Sequence, residues 1–347
     1  MVRVSMADIA RRAGVSKNTV SLALRHSPQI PERTRKRIAT LARKMGYQAS
    51  PVVAQLMTQL RLSRRARFQS CLALFNANRD PRAFRDHPTL PAYVEGCRRR
   101  AQSLGYTLDE FWLHDPALSP SRMLQVLRAR SIPGVVFVGL MQENRLPETA
   151  RELWRTLPCV VTGVRTQQPA LSFCCADHHM LTLKAVEQCL ARGYRRPALV
   201  LDRVIDDLVD SRFSSGFAAG LENLPAAQRT RPFFRVQEAD RQRGLFEKWL
   251  DRERPDAILT LYNRIRDWTE ATGRRVPGDV GFVQLEWRRR EPHWSGMDQH
   301  NDIVGEAAVE MLTGMIHRGS SGPPDFPRAT LIGSTWREGE TLPHRPE

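Results

Sequence analysis

The sequence lacks the features that mark a metal site, a membrane span or a secretion signal. Its six cysteines include no C-x-x-C pair and no cysteine–histidine cluster at zinc-ligand spacing. We therefore expect no metal and no cofactor. The cysteines are expected to be reduced and buried, and to act as small apolar residues. No apolar run approaches the about 20 residues of a membrane span, and the first residues enter a helical pattern without an apolar signal region. These absences predict a cytoplasmic protein with no membrane partner.

The motifs of common α/β enzymes are also missing. The sequence contains no phosphate-binding G-x-x-x-x-G-K-[ST], no G-x-S-x-G nucleophile turn and no H-E-x-x-H metal site. The pair His178 and His179 has no companions at ligand spacing, and we expect it to begin a helix. We therefore predict no catalytic residues and a protein that is not an enzyme.

Positive charge is in excess, and most of it lies at one end of the chain. The formal net charge is +16, and residues 1–67 hold fifteen lysines and arginines against the acids Asp8 and Glu32, a charge of +13. A basic segment on a nearly neutral body is typical of a protein that binds a polyanion. A membrane-surface anchor is the alternative, but it needs an exposed apolar face, and here the apolar positions are needed to join helices.

Residues 4–24 predict two short helices joined by a tight turn. Ser5 and Asp8 have the spacing of a capping box at the start of the first helix. Gly14 ends that helix, because glycine tolerates the positive φ common at a helix C-terminus, and Ser16 is a good N-cap for the second. The first helix has one apolar face, formed by Ile9, Ala10 and Ala13.

The second helix separates an apolar side from a polar one. At about 100° per residue, Val20, Ala23 and Leu24 share one side. The other side carries Lys17, Asn18, Ser21 and Leu22. A helix-turn-helix presents such residues to the major groove of DNA. A plain helical hairpin with solvated polar residues is the alternative.

A third helix is predicted over 32–45, after Pro31 and before Gly46. The segments ADIARRAGVS (7–16), TVS (19–21), TR (34–35) and GY (46–47) then resemble, in order and spacing, the DNA-binding head of the lactose-repressor (LacI/GalR) family. The resemblance implies a homodimer that binds a pseudo-palindromic double-stranded DNA operator as a transcriptional regulator. Repression is the default role in that family.

The resemblance also assigns different DNA contacts to different residues of the head. Lys17 and Asn18 are expected at base edges, since lysine suits guanine and asparagine suits adenine. Leu22 stands where arginine or histidine is frequent in the family, so we expect only apolar contact there and an altered operator preference. Contacts to phosphates, which set register without reading sequence, are expected from Ser5, Ser16, Thr19, Ser21, Thr34 and Arg35.

Residues 50–68 are predicted to form a hinge helix and a basic linker. Val53, Leu56 and Leu60 are spaced as one apolar seam. By resemblance, Leu56 wedges between minor-groove base steps, a contact that bends DNA, although the residues after Tyr47 and before Leu56 depart from the family pattern. A permanently helical dimer seam is the alternative.

From residue 69 onward, strands and helices alternate, which predicts parallel sheets covered on both faces. The strands are expected at 71–75, 107–112, 134–138, 159–164, 198–201, 257–261 and 280–284, and the helices at 93–104, 121–130, 180–190, 213–224, 244–252 and 303–317. RFSSGF (212–217), PDAILTLYN (255–263) and VPGDVGFV (276–283) resemble pieces of the periplasmic-binding-protein-like core of the same family. We expect a head over 1–49 and a core over 69–347. The core should hold two doubly wound subdomains, roughly 69–175 and 176–300, with the C-terminal segment crossing back.

The resemblance places a small-molecule effector in the cleft between the subdomains. Asn263 and Gln299 match ligand-contacting positions of the family, and Glu286 stands where an aspartate is usual. The family's ligand-gripping arginine is replaced by Phe213, with Arg212 one place away. The effector-binding candidates are therefore Arg212, Asn263, Glu286 and Gln299.

The identity of the effector stays open at this stage. A carbohydrate is one candidate, and Trp112, Trp268, Trp287 and Trp294 would suit stacking on a sugar ring, the protein core or a subunit interface equally well. The departures from the family pattern also allow another ligand or none. The competing function is a cytoplasmic small-molecule-binding protein whose DNA head or effector site has degenerated.

Overall fold

The computed structural model describes residues 6–24, 30–45 and 70–345. The chain divides into two compact units, Met1–Phe68 and Gln69–Glu347. The predicted phosphate contact Ser5 and the predicted wedge Leu56 lie outside the described residues.

The first unit contains the three predicted helices, α1 Met6–Ala13, α2 Lys17–Leu24 and α3 Glu32–Lys44. Gly14 ends α1 with φ at +67°, and the N–H of Val15 donates to the carbonyl of Ala10 at 3.1 Å. The helices share one small core, formed by Ile9, Ala10, Val20, Ala23, Ile38 and Ala42. The predicted helix-turn-helix arrangement is thereby confirmed.

The first subdomain of the second unit is built on a six-stranded sheet. Its strands, all parallel to their neighbours, have the order β10-β5-β4-β3-β1-β2. They are β1 Ser70–Asn76, β2 Tyr106–Trp112, β3 Val135–Val138, β4 Cys159–Thr162, β5 Ser172–Ala176 and β10 Ala329–Ile332. The helices among them are α4 Ala83–Asp86, α5 Leu90–Ser103, α6 Pro120–Ala129 and α7 Arg151–Thr156.

The second subdomain is built on a five-stranded sheet of order β11-β9-β8-β7-β6. Its strands are β6 Pro197–Val200, β7 Ala257–Thr260, β8 Gly281–Gln284, β9 Gly296–Asp298 and β11 Thr335–Arg337. Neighbouring strands of this sheet are parallel except β11 and β9, which pair antiparallel. Its helices are α8 His178–Ala191, α9 Arg203–Leu208, α10 Arg212–Leu221, α11 Val236–Arg241, α12 Gly244–Glu253 and α13 Arg264–Glu270.

The long helix α14 Asn301–His317 returns the chain to the first subdomain. Its apolar face joins the core cluster that contains Tyr93 of α5 and the strands of the first sheet. The two helices meet closely, because a Cβ at Gly305 would overlap the carbonyl of Tyr93 and one at Gly96 would overlap the carbonyl of Asp302. Only glycine permits that approach of two backbones.

The predicted fold class is confirmed, with some elements that sequence patterns did not indicate. Strands β5 and β9 and the short helices α4, α7, α9, α11 and α13 were not predicted. The strand predicted over 159–164 ends at Thr162, because Gly163 has φ at +82° and leaves the extended region. Five of the six cysteines are buried and Cys71 is half-buried, and all six are free thiols. No helix in the described ranges is long and apolar enough to cross a bilayer.

Candidate functional site

The start of α2 is held at the surface of the head by the predicted cap. The exposed Ser16 hydroxyl oxygen accepts the backbone N–H of Thr19 at 3.0 Å and lies 2.8 Å from the Thr19 hydroxyl. The N-cap role of Ser16 is therefore confirmed. A helix N-terminus exposed in this way offers backbone N–H groups and a positive dipole end to an anion such as a phosphate.

The predicted DNA-reading residues are only partly described. The backbone positions of Lys17, Asn18 and Ser21 belong to α2, but their side chains lie outside the described part of the chain. Leu22 is half-buried on the same helix, and Thr34 and Arg35 are half-buried on α3. Contact of any of these residues with DNA stays a prediction.

One arginine of the head hydrogen-bonds the end of a neighbouring helix. Arg37 of α3 donates to the carbonyl of Ala13 at 3.1 Å and so satisfies a free carbonyl at the end of α1. Arg11 pairs with Asp8 at 2.8 Å and Lys36 with Glu32 at 2.7 Å. Both pairs are exposed, and such pairs contribute little to stability.

A cavity of about 470 Å³ lies between the two subdomains of the second unit. Its walls are formed by residues that follow each of the strands from β3 to β9, and by the loop before α5 with the start of that helix. The carboxyl ends of parallel strands are the usual ligand position in such sheets. The volume lies within the range of small-molecule sites, about 300–1,000 Å³.

Three of the four predicted effector-binding residues line this cavity, namely Asn263, Glu286 and Gln299. Arg212 is not among the lining residues; its Nη1 lies 3.3 Å from Cys175 Sγ, and its guanidinium lies 5.5 Å from the centre of the Phe173 ring. Phe213 lines the cavity instead. One step along a helix turns a side chain by about 100°, so the two neighbours face different surroundings.

Glu286 connects the two subdomains. Its Oε2 accepts the Thr89 hydroxyl at 3.0 Å and Arg288 Nη2 at 2.7 Å. Its Oε1 accepts Asn301 Nδ2 at 2.9 Å. Thr89 belongs to the first subdomain and Arg288 to the second, so this carboxylate crosses the cleft. The sequence predicted that Glu286 would be present in the cleft, but not these partners.

The two predicted amide side chains of the wall are hydrogen-bonded to groups outside the lining of the cavity. Asn263 Nδ2 donates to Glu291 at 2.9 Å, and its Oδ1 accepts Gln284 Nε2 at 2.6 Å. Gln299 Nε2 donates to the carbonyl of Leu285 at 2.8 Å. These bonds hold the predicted ligand-contacting amides in fixed orientations.

The tryptophans predicted as possible stacking surfaces lie elsewhere. Trp268 and Trp294 are buried in a core of the second subdomain, and Trp112 Nε1 donates to the carbonyl of Asn78 at 2.9 Å. Trp287 lies beneath the guanidinium of Arg337, at 5.3 Å. The tyrosine and phenylalanine rings that line the cavity are those of Tyr93, Tyr262 and Phe213. The sequence analysis did not predict them as part of the wall.

His178, predicted only as the start of a helix, does begin α8 and also lines the cavity. Its buried ring lies 4.6 Å from the ring of Phe213. Burial, with a smaller contribution from the charge of Arg212, lowers the pKa of His178 to about 3. The imidazole is therefore neutral at physiological pH and presents one donor and one acceptor.

Helix α9 of the second subdomain closes one end of the cavity against the first. Leu208 is buried in the core cluster of the first sheet, and Ile205 packs against clusters of both subdomains. The following turn holds Asp210 and Ser211 at positive φ, 55° and 57°, and Asp210 pairs with Arg165 of the first subdomain at 3.4 Å. The sequence pattern did not indicate this helix, because it is only six residues long.

Each of the two units matches a family model built from known proteins. Residues 5–50 match the family model for bacterial regulatory proteins of the lacI family, and residues 186–342 match the model for a periplasmic binding protein-like domain. The HTH-type transcriptional regulator TreR of Salmonella typhimurium is 28% identical over 227 residues, which span 57% of this chain and 72% of TreR.

Two solved structures have the same fold over nearly the whole chain. The complex of the transcriptional regulator CelR with cellobiose matches with a TM-score of 0.59 and 20% identity, over 98% of this chain and 100% of that one. The lac repressor dimer bound to operator and the anti-inducer ONPF matches with a TM-score of 0.56 and 17% identity, over 99% and 100%.

A helix-turn-helix head followed by a periplasmic-binding-protein-like core defines a class of DNA-binding transcriptional regulators. Within that class, the chain has a helix-turn-helix domain of the lacI family, and it is similar to regulators of that family. The resemblance drawn from the sequence is confirmed.

Proposed function

We propose that this regulator binds a pseudo-palindromic operator as a homodimer and represses transcription, with its operator affinity controlled by a small molecule in the cleft. The observation that carries the proposal is the packed helical head, in which the Ser16 cap holds the start of α2 at the surface. The lac repressor, which shares the fold, was crystallised as a dimer on its operator, and this supports the dimeric arrangement.

In this proposal, Lys17 and Asn18 contact base edges and Leu22 adds an apolar contact to a base. Hydroxyls at Ser5, Ser16, Thr19, Ser21 and Thr34, together with Arg35, bind phosphates. Phosphate contacts position a protein on any duplex, whereas contacts at base edges select a sequence. Leu56, from the hinge of each subunit, wedges between base steps in the minor groove.

We infer that the cleft binds its ligand and does not transform it. The carboxylate of Glu286 accepts three hydrogen bonds from protein groups, and these bonds hold it in place as part of the binding wall. Asn263, Glu286 and Gln299 are the contacts we expect in the cavity, and Arg212, which does not line it, is not among them. A carbohydrate is the ligand class supported by CelR, which shares the fold and was solved with cellobiose.

Ligand control follows from the position of the cavity between two subdomains. A ligand that favours one separation of the subdomains changes the population of the state that fits the operator, with a coupling of about 1–3 kcal/mol in typical systems. Since the proposed partner is chromosomal DNA, we infer the cytoplasm as the compartment.

The test is a genome-wide selection of DNA fragments by the purified full chain, repeated at increasing salt. We expect enrichment of fragments with a shared inverted repeat, and an affinity that falls steeply with salt because each neutralised phosphate releases counterions. The proposal fails if no fragment is enriched at low ionic strength. That outcome would favour the alternative, a small-molecule-binding protein whose head has lost DNA recognition.

A further inference from the structure

A second, smaller cavity is lined by residues of the first subdomain alone. It has a volume of about 50 Å³ and lies between the loop that follows β1 and the loop that follows β3. The first sheet places β1 between β2 and β3, so the chain leaves β1 towards one side of the sheet and β3 towards the other. In open parallel sheets, ligands bind beyond the carboxyl ends of the strands at such a switch point.

Hydrogen bonds hold the two loops together beside this cavity. Asn78 Nδ2 donates to the carbonyl of Gly139 at 3.4 Å, and Trp112 Nε1 donates to the carbonyl of Asn78 at 2.9 Å. His114 Nε2 lies 3.2 Å from the carbonyl oxygen of Ala77. A Cβ at Gly139, whose φ is +101°, would lie only 3.3 Å from the backbone nitrogen of Asn78, so the loops approach each other closely. The fold itself therefore forms the cavity.

The side chains that line this cavity carry a net positive charge. Arg79 and Arg145 line it, and Glu143 is the one carboxylate among the described residues that do so. Arg79 Nη2 lies 3.7 Å from Glu143 Oε1, and both side chains are exposed. The exposed guanidinium of Arg145 has no partner within residues 70–345. Two cations and one carboxylate favour an anionic ligand.

Neutral hydrogen-bond donors of the loop after β3 add to this charge. The backbone N–H groups of Met141, Gln142 and Glu143 have no acceptor in the described part of the core. The side-chain amide of Gln142 is likewise unpaired there. Successive backbone N–H groups in a turn form a concavity that binds anions. The loop thus combines a free guanidinium with free N–H groups, which is the donor set that an oxyanion needs.

The volume of the cavity limits the ligand to a small ion. A water molecule needs about 10–15 Å³ of such space, so the cavity has room for about four oxygen-sized groups, as many as phosphate or sulfate carries. Pockets for larger ligands begin at about 300 Å³.

We propose that this cavity binds a free tetrahedral oxyanion. Arg145, Gln142 and the N–H groups of the loop after β3 are its hydrogen-bond donors, and Arg79 is the second cation. The site shares only Gly139, Leu140 and Met141 with the larger cavity between the subdomains. The inference therefore does not depend on the ligand proposed there.

The experiment is calorimetric titration of the purified full chain with sodium phosphate at constant ionic strength. We expect one saturable site per chain, with millimolar affinity. Acetate is the comparison ion, because it has two oxygens and a single charge, and it should bind at least tenfold more weakly than phosphate.

Three substitutions locate the site. Arg145→Gln removes the free cation and should weaken phosphate binding at least tenfold, because hydrogen bonds to charged groups are the stronger ones. Glu143→Gln removes the carboxylate that competes for Arg79 and should strengthen phosphate binding about threefold. The matched control is Arg151→Gln, at an exposed arginine that pairs with Glu148 outside the cavity. It makes the same change of charge and should leave the affinity within twofold of the parent value.

The proposal is overturned if the parent shows no saturable site or if acetate binds as tightly as phosphate. It also fails if Arg145→Gln and Arg151→Gln weaken phosphate binding equally, because the ion would then respond only to the net charge of the chain. Glu143→Gln with no gain in affinity would contradict the proposed role of Arg79. Gln142→Ala, expected to weaken phosphate binding about threefold, keeps the test decisive if Arg145→Gln disturbs the loop.

Discussion

The DNA-binding head and the effector cleft differ in how far apart along the chain their functional residues lie. The head places its reading and capping residues on α2 and its preceding turn, within one short stretch. The cleft collects residues from His87 to Gln299. A local helical pattern was therefore enough to identify the first site, whereas the second exists only because two sheets bring distant strand ends together.

The sharpest test of this comparison is to unfold the head alone. Ile9 is completely buried in the small core of the helices, and Ile9→Asn places an unpaired amide there at a cost of several kcal/mol, roughly 2–7. We expect operator binding to be lost, more than a hundredfold, in a mobility-shift assay. Binding of a carbohydrate in the cleft should stay within twofold of the parent value.

Ile303→Asn is the matched control, because Ile303 is an exposed isoleucine on α14. It should alter neither activity. If Ile9→Asn abolished ligand binding as well, the two units would not be energetically separate, and the comparison of a local site with an assembled one would lose its basis.

Within the head, base reading and phosphate contact can be separated. We expect Asn18→Ala to relax preference at one base pair, with a discrimination loss of about 1–3 kcal/mol. Arg35→Ala should instead weaken binding to all sequences alike and reduce the salt slope. Selection of randomised operators measures the first effect and salt titration the second. Identical behaviour of the two variants would contradict this division of roles.

In the cleft, acid should destabilise the fold through His178. Its pKa is about 3 in the folded protein against about 6.5 unfolded. The unfolded state therefore binds a proton first as pH falls, so stability is fully present above about pH 6.5 and is lost progressively towards pH 3. At pH 5 the loss attributable to this residue is about 2 kcal/mol.

Urea unfolding at pH 7 and pH 5 measures this effect. We expect His178→Phe to reduce the difference in unfolding free energy between the two pH values. His293→Phe, at an exposed histidine, should leave the difference as it is in the parent. An unchanged difference in the His178 variant would mean that other groups cause the acid sensitivity.

The smallest effect is expected at the carboxylate that crosses the cleft. Glu286→Gln keeps the shape but leaves Arg288 without its counter-charge, and we expect ligand affinity to fall about tenfold, since hydrogen bonds to charged groups are worth about 1.5–3 kcal/mol. Glu306→Gln is the control, because Glu306 pairs with Arg99 at the surface, where such pairs contribute little. Equal effects of the two changes, measured by calorimetry, would show that the cleft contact is no more than a surface pair.

Much of the molecule was predictable from residue patterns. The three helices of the head, the Ser16 cap and the alternation of strands and helices follow from periodicity and capping, which act over a few residues. The departure at Gly163 shows the limit, because the strand ends where the backbone takes a positive φ. Short elements such as α9 and β9 have too few residues to show a period.

The prediction of individual side chains in the cleft was limited in the same way. Asn263, Glu286 and Gln299 were selected by resemblance to ligand-contacting positions of the family, and all three line the cavity. Arg212 was selected although it stands one place from the family's position, and Phe213 occupies the wall instead, because one step along a helix turns a side chain by about 100°. The four tryptophans were selected by residue type alone, and none lines the cavity.

The chain therefore carries in its linear order the class of protein, the basic head and the succession of its elements, since these depend on contacts between near neighbours. The cleft itself arises only after folding. It depends on the strand order β9-β8-β7-β6 and on α9 of one subdomain reaching the core of the other. Those contacts join residues far apart in sequence, and their energy is set by burial, which no local pattern specifies.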